Sequence, residues 1–528
     1  MSSLPAEEAL HFSCPSCGGN LEYSIEKGKL VCKSCDRQYD LKDIPDPSSL
    51  NGGNVMDVQE YHCPQCGAEI HTAQGEPVAF CSFCGANAVF THQISRLERP
   101  NQIVPFKITR AQCESIYRKR VKKALFAPRE LLSQETLSHF QPIYIPFWQY
   151  KATYNGPGSY QYKEKYFQDN ADYTDTYHEK LNVHIKMDKV YYDASSRFDD
   201  ETALRLCMKP GEARPFHAGY LCGCFAEGAD VGKNVYKSVI TSEAQRRLTQ
   251  RLGKPAAIRG SLRYSIKMVL LPVWLLASRQ GERVLYTAIN GETGEIVCDT
   301  TVNPARYLLF SGLLTLLIFA ALMLLGSKII LRARLTAGLC GMLSALGCAA
   351  LFPHIRDTVR RAKHDADPTR WELSRHLGNN ITLPPDSWYT EPRWKKLLPW
   401  IPYVFVTLLF TLFRGLQAHN MNEFVGAFSS DRSVYPVLLA FISAVIMWWF
   451  SFRALKLRRG LGFFALALLQ SFTFVYLRRT PQREPLYYLS IGMLVLLALL
   501  VILQFVAHNG YVTRPVPIFG KNKKEKRA

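Results

Sequence analysis

Eight of the 15 cysteines in this 528-residue chain fall in four CxxC pairs: Cys14/Cys17, Cys32/Cys35, Cys63/Cys66 and Cys81/Cys84. Corresponding members of the two quartets lie 49 residues apart, so the chain opens with an internal duplication. Each unit reads CxxC, fourteen residues, CxxC. At that spacing two turns present four thiolates tetrahedrally to one Zn²⁺, and a unit too small to bury a core takes its folding energy from the metal. Two structural Zn²⁺ ions are therefore expected, in closed sites with no position left for a reactive water. Glycine follows the knuckle in Cys14-Pro15-Ser16-Cys17-Gly18, in Cys63-Pro64-Gln65-Cys66-Gly67 and in Cys84-Gly85, where positive φ is needed. The fourth knuckle has Cys35-Asp36, and Asp also enters the left-handed region. His11, His62 and His71 could stand in for a thiolate, but with four cysteines per site they are expected to be ordinary surface residues.

A disulfide framework is the rival reading of the cysteines, and it calls for export. The first apolar run long enough for export begins near Tyr307, so the amino end is expected to be cytosolic. Cys222 and Cys224, with Cys207 upstream, read as small buried apolar residues in a reducing compartment, with a third metal site as the sharper alternative. The acidic sets Asp169/Asp172/Asp175 and Asp199/Asp200/Glu201 could hold a divalent ion, although loops commonly carry such charges. Walker A, HExxH and GxSxG patterns are absent, and the chain is not expected to be an enzyme.

Residues 100 to 305 have the mixed periodicity of a cytosolic α+β domain with an antiparallel sheet. A charged helix is predicted over 111–125, strands over 143–154, 180–192, 270–276 and 284–289, and a turn at Asn290-Gly291-Glu292-Thr293-Gly294. A second helix over 235–252 is expected to cover one face of the sheet.

Lys plus Arg number 64 against 44 Asp plus Glu, a formal +20. Of these, 27 basic but only 10 acidic residues lie in 307–528, where the long apolar runs are, so the excess reads first as membrane topology. Candidate spans cover 307–326, 335–352, 397–413, 434–452, 461–477 and 486–507. Six spans put the basic segments 353–396, 453–460 and the tail Lys521–Arg527 on the cytosolic side, near anionic lipid headgroups. Arg478, Arg479 and Arg483 run against that scheme, and four spans would also keep the tail inside. The interruptions Ser443, Gln470 and Ser471 suit helix-packing hydrogen bonds, and Gly338, Gly341, Ala345 and Gly347 suit close helix contact. Residues 353–396, with Arg360, Arg361, Lys363, Trp371, Trp388 and Trp394, have the composition of an interfacial segment or of a solvated loop. The fold class expected is thus multidomain: zinc ribbon 1 at 10–45, a linker and zinc ribbon 2 at 46–95, the α+β domain at 100–305, an all-α transmembrane region of about six helices at 307–508, and a basic tail at 509–528. The protein is placed in the cell membrane, multi-pass, with both termini cytosolic.

The tandem CPxCG knuckles are followed by Val104-Pro105-Phe106-Lys107-Ile108, Ala127-Pro128-Arg129-Glu130-Leu131 and Tyr144-Ile145-Pro146-Phe147-Trp148. With the block from His217 to Glu227, Leu271-Pro272-Val273-Trp274 and Asn290 to Gly294, these resemble bacterial membrane proteins with an amino-terminal transcription-factor-IIB-type zinc ribbon, over roughly residues 10 to 305. Members are often labelled helicase or primosomal proteins on the ribbon alone, and this chain has no motor motif. Some relatives resemble membrane anchors of phage-shock and SPFH stress scaffolds, which implies a role in recruiting such proteins.

The function expected first is a membrane-anchored docking platform for cytosolic protein partners. Nucleic-acid binding by the ribbons is the second reading, opposed by charge: residues 1–95 hold Lys27, Lys29, Lys33, Arg37 and Lys42 against twelve acidic residues. A transporter or channel is the third, and it calls for an ionisable group near a span centre, which none of the six segments carries.

Overall fold

A computed structural model describes residues 10, 12–49, 54–73, 80–87, 91–168, 171–195, 197–198, 202, 206, 211–298, 300–325, 333–365, 435–454, 460–479, 484–517 and 519. The span expected at 397–413, the tail from 520 on, His11, Asp169, Asp199, Asp200, Glu201, Cys207, Trp371, Trp388, Trp394 and Arg483 lie outside the described residues.

The first ribbon is a three-stranded antiparallel sheet of β1 (Leu21–Ser24), β2 (Lys29–Cys32) and β3 (Gln38–Tyr39). The second contributes β4 (Val55–His62), β5 (Glu69–Thr72) and β6 (Thr91–Glu98) to a 13-stranded sheet. Its other members begin with β7 (Gln102–Ile103), β8 (Gln141–Gln168), β9 (Ala171–Asp193), β10 (Arg214–Pro215) and β11 (Phe225–Ala226). They continue with β12 (Ala256–Ile258), β13 (Arg263–Gln280), β14 (Arg283–Asn290), β15 (Ile296–Cys298) and β16 (Arg514–Pro515). The path runs β10-β7-β13-β8-β11-β5-β4-β6, with β9 and β12 on β8 and with β14, β15 and β16 extending from β13. Antiparallel pairing dominates, as expected, but β7–β13 and β8–β11 are parallel, so the sheet is mixed. Both parallel partners are two-residue strands that enter from loops, a pairing no local hydrophobic period announces.

Side-chain alternation along β13 gives the sheet two buried faces. Leu270, Trp274 and Leu276 join the apolar cluster of the first ribbon. Val269, Leu271, Val273 and Leu275 join that of the second. Helix α1 (Arg110–Lys122), started by a Thr109/Gln112 capping box, belongs to the first face through Cys113, Tyr117 and Val121. After the short α2 (Gln134–Ser138) comes α3 (Lys237–Leu252), whose Ile240, Ala244 and Leu248 stripe covers Tyr150 and Tyr192 as the sequence predicts.

Strands β8 and β9 pair from Phe147/Asp193 out to Gln168/Ala171. At about 3.4 Å per residue β8 alone is some 90 Å long, and beyond residue 160 most of its outer length is exposed on both faces. The expected strands over 143–154 and 180–192 are only the proximal parts of this arm.

Among the described residues five apolar helices follow: α4 (Pro304–Leu325), α5 (Ala333–Asp365), α6 (Tyr435–Ala454), α7 (Gly460–Arg479) and α8 (Pro485–Val512). Among the described residues three stretches are long and apolar enough to cross a membrane, Ala333–Phe352, Leu461–Arg479 and Pro485–Gly510, with Pro436–Phe452 a shorter apolar stretch. Six crossing helices are not found among them. Helix α5 continues through residues 353–365, so the start of the expected loop is helical. Gly338 meets the Pro436 carbonyl oxygen, Gly341 meets Ser443 and Gly347 meets Leu497 at distances a Cβ would make 3.0–3.2 Å, as small residues at helix contacts should. Gln470 donates to Gly341 O (3.1 Å) and Ser344 Oγ (2.6 Å), and Trp448 Nε1 donates to Ser471 Oγ (2.7 Å). Ser443 bonds back to Ala440 O within its own helix.

Candidate metal centres

Each quartet is built by two short turns that superimpose in hydrogen bonding. Gly18 N–H donates to Cys14 O and Gly67 N–H to Cys63 O, both at 2.8 Å. Gly18, Gly67 and Gly85 have φ of 71°, 72° and 66°, and Asp36 takes the same region at 55°. In each set the four Sγ atoms lie within 4.8 Å of one another. Zn–S bonds of about 2.3 Å in a tetrahedron require S···S separations of about 3.8 Å. The quartets show 3.7 Å (Cys14/Cys35), 3.4 Å (Cys17/Cys32), 3.7 Å (Cys63/Cys84) and 3.6 Å (Cys66/Cys81).

Without a cation these thiols compete. The Tyr39 hydroxyl, 3.3 Å from Cys14 Sγ, helps draw that thiol down to about 6. Although the Gly19 amide favours its thiolate, contact with Cys32 and Cys35 carries Cys17 up to about 12. In the second quartet contact with Cys66 pushes Cys63 far down, and contact with Cys63 pushes Cys66 far up. Only a central dication lets four such thiolates coexist, and both sites fit one structural zinc ion each.

The two sites differ in their surroundings. Cys17 is exposed and Cys35 half-buried, whereas all four thiols of the second site are buried. A Cβ at Gly67 would overlap the Phe519 carbonyl oxygen, and one at Gly85 would come 2.7 Å from Ala277 O. Phe519 N–H donates to Cys66 O and its ring meets Phe83 edge-on at 5.8 Å. Residues after α8 therefore return to cap the second knuckle, and β16 pairs with β14 on the way. Arg283 donates to Gly510 O, Thr513 O and Thr513 Oγ1, tying the sheet to the end of α8.

The expectation of surface histidines is corrected by this site. His71 is 2 % exposed, its Nε2 3.0 Å from Glu60 Oε2 and its Nδ1 3.3 Å from Ala226 O. His62 Nε2 lies 2.6 Å from Glu60 Oε1. The contacts to Glu60 lie within the β4–β5 ladder, and β11, docked on β5, supplies the Ala226 carbonyl and covers His71. The His71 hydrogen bond is the main cause that brings the Glu60 carboxyl down to about 2. The readable signal was the mirrored spacing Glu60-x-His62 and Glu69-x-His71 about the first knuckle of the second ribbon. Nearby, Glu227 is 3 % exposed, and burial raises it to about 7 against the Arg197 charge and the Ser195 hydroxyl, which oppose it.

Of the other sequence candidates, Cys222 and Cys224 are buried in the first apolar cluster and belong to no metal-binding group among the described residues. Asp172 and Asp175 lie apart on the exposed arm.

Residues 13–43 match the family model for Trm112p-like protein. The match supports a zinc ribbon at this place, of the Trm112p-like kind. The chain is also 27% identical over 330 residues to the uncharacterized protein YdjG of Bacillus subtilis (strain 168), covering 58% of this chain and 94% of that protein. No solved structure matches the chain.

Proposed function

We propose that this protein is a membrane-anchored zinc-ribbon docking platform that recruits cytosolic protein partners and performs no catalysis. The β8–β9 arm is the observation that carries the reading. Its register sets Tyr162 opposite Tyr177, Tyr166 opposite Tyr173, Tyr160 opposite Glu179 and Glu164 opposite Asp175, all on one face. The rings stack at 5.0 Å (Tyr162/Tyr177) and 5.5 Å (Tyr166/Tyr173), and Tyr166, Tyr173 and Tyr177 are 41–43 % exposed. Tyrosines interleaved with carboxylates suit a lysine- or arginine-rich polypeptide, through cation–π contact and charge pairing. Lys254, lying 4.1 Å from the Tyr162 centroid and 5.4 Å from that of Tyr160, already engages the base of this face in that manner. Phosphate-bearing partners suit it poorly.

Because the second knuckle is covered, recognition by the ribbons falls to the first, where Cys17 is at the surface. The partner class we favour, cytosolic scaffolds of membrane-stress response, rests on the resemblance noted above. Cytosolic placement and six crossings form part of the same proposal. Its support is that α4 leaves the sheet domain and α8 returns to it, which suits an even number of crossings, and the six apolar segments of the sequence meet that condition. The basic loops and tail then face anionic headgroups on the inner leaflet.

Crosslinking and affinity recovery of the full-length protein from membranes tests the reading. Replacing residues 160–179 by an Asn-Gly turn leaves Ser159 paired with Lys180, a geometry a two-residue hairpin can close. Recovered protein partners should disappear while membrane insertion and zinc content persist. An unchanged set of partners overturns the proposal.

A further inference from the structure

The face of the second ribbon opposite its knuckle core carries a set of ligands that the two zinc sites do not use. In the β4–β5 ladder Glu60 pairs with His71 and His62 with Glu69. Positions two apart on a strand share a face, so two carboxylates and two imidazoles form a rectangle there. Glu60, His62 and Glu69 each present one ligand atom within 4.8 Å of the others. Ligands about 2.1 Å from a tetrahedral ion stand about 3.4 Å apart, so closure takes side-chain movements of about an ångström.

We propose that Glu60, His62 and Glu69 form a third, exchangeable site for a divalent transition ion of zinc-like softness. The second oxygen of each carboxylate is held from behind. His71 Nε2 takes Glu60 Oε2 at 3.0 Å, and Arg197 pairs with Glu69 Oε2. Gln93 Nε2 donates to Glu60 Oε1 at 3.0 Å and lies 3.1 Å from His62 Nε2. Outer partners of this kind orient ligands and sustain affinity in metal sites. Glu60 is 7 % exposed while the side chains of His62 and Glu69 are 33 % and 35 % exposed, so an ion enters from solvent onto a carboxylate fixed at the back. Mixed imidazole and carboxylate ligands suit Zn²⁺, Co²⁺ or Mn²⁺ better than a softer ion such as Cu⁺. Three protein ligands leave room for water, so exchange is fast compared with the Cys₄ sites.

The full-length protein in detergent, dialysed against excess chelator, should keep two zinc ions per chain. Titrated with Co²⁺ alone, it should then bind one further equivalent, with weak visible d–d bands and no sulfur-to-cobalt charge transfer. His62→Ala and the isosteric Glu69→Gln should each weaken that step at least about tenfold, with the two retained zinc ions reporting an intact fold. The proposal fails if the wild type binds no third equivalent up to about 1 mM, if the step is unchanged in Glu69→Gln, or if charge-transfer bands assign it to cysteine.

Discussion

Replacing the knuckle glycine of each ribbon by alanine separates the local cost of the turn from the cost of the tertiary contact on it. Gly18 and Gly67 occupy equivalent positions of the duplication, with φ of 71° and 72°. Alanine there pays the left-handed penalty, about 1 kcal/mol at its lower end, in both. At Gly18 nothing lies within 4 Å of the added methyl, so that is the whole effect. At Gly67 the methyl meets the Phe519 carbonyl, and residue 519 must withdraw. Withdrawal breaks the Phe519 N–H bond to Cys66 O, about 1 kcal/mol, and the edge contact with Phe83, about 1 kcal/mol, both seen in the structure. The excess is about 2 kcal/mol, or roughly thirtyfold in a local opening equilibrium. Amide exchange of the full-length protein reads it directly. Peptides around residues 61–73 and 513–519 should exchange roughly thirtyfold faster in Gly67→Ala, beyond the change Gly18→Ala makes in peptides around 12–24. Equal effects in the two ribbons refute the claim that the segment after α8 holds the second knuckle shut.

Metal analysis should find two zinc ions per chain, and serine at Cys14, Cys17, Cys32 and Cys35 together should leave one; two remaining ions would assign zinc elsewhere. Gln470→Leu removes hydrogen bonds to Gly341 O and Ser344 Oγ between α5 and α7. It should lower the stability of the helical region by about 0.6 kcal/mol, at most about 1.7, measured by unfolding in detergent, and an unchanged midpoint counts against that helix contact. Glu227 binds its proton more tightly folded than unfolded, its pKa being raised from 4.5 to about 7 mainly by burial. Its contribution is therefore fully present below pH 4.5 and is lost as pH rises through about 7. Glu227→Gln should flatten stability across that window and stabilise the protein above pH 7 by up to about 3 kcal/mol; a loss of stability there contradicts burial as the cause of the raised pKa.

Much of the chemistry was legible locally. The zinc ligands are set by spacing within each unit, since a CxxC turn and its glycine or Asp36 need only their own backbone to form a knuckle. The helices expected over 111–125 and 235–252 are found at Arg110–Lys122 and Lys237–Leu252, and the small residues of α5 marked a helix contact before any partner was known. The polar positions were read less well. His71 looks like a surface residue until β11 is laid against β5, and Glu227 has no sequence feature that marks it as buried.

What the sequence determined by itself was whatever a few consecutive residues decide: metal ligation, apolar length and the sign of charge near each span. Tertiary structure alone decided which knuckle is covered, how far the β8–β9 arm projects and that two parallel pairings join the sheet. It also brought Glu60, His62, Glu69 and His71 to one face. The reason is register. A strand's two faces are written in its sequence, but which residues meet across it is settled by pairing with distant segments, and a one-residue slip would exchange every contact. Here the covering of the second ribbon depends on Phe519, more than 430 residues from Gly85, a contact that only the return of the chain after α8 can make.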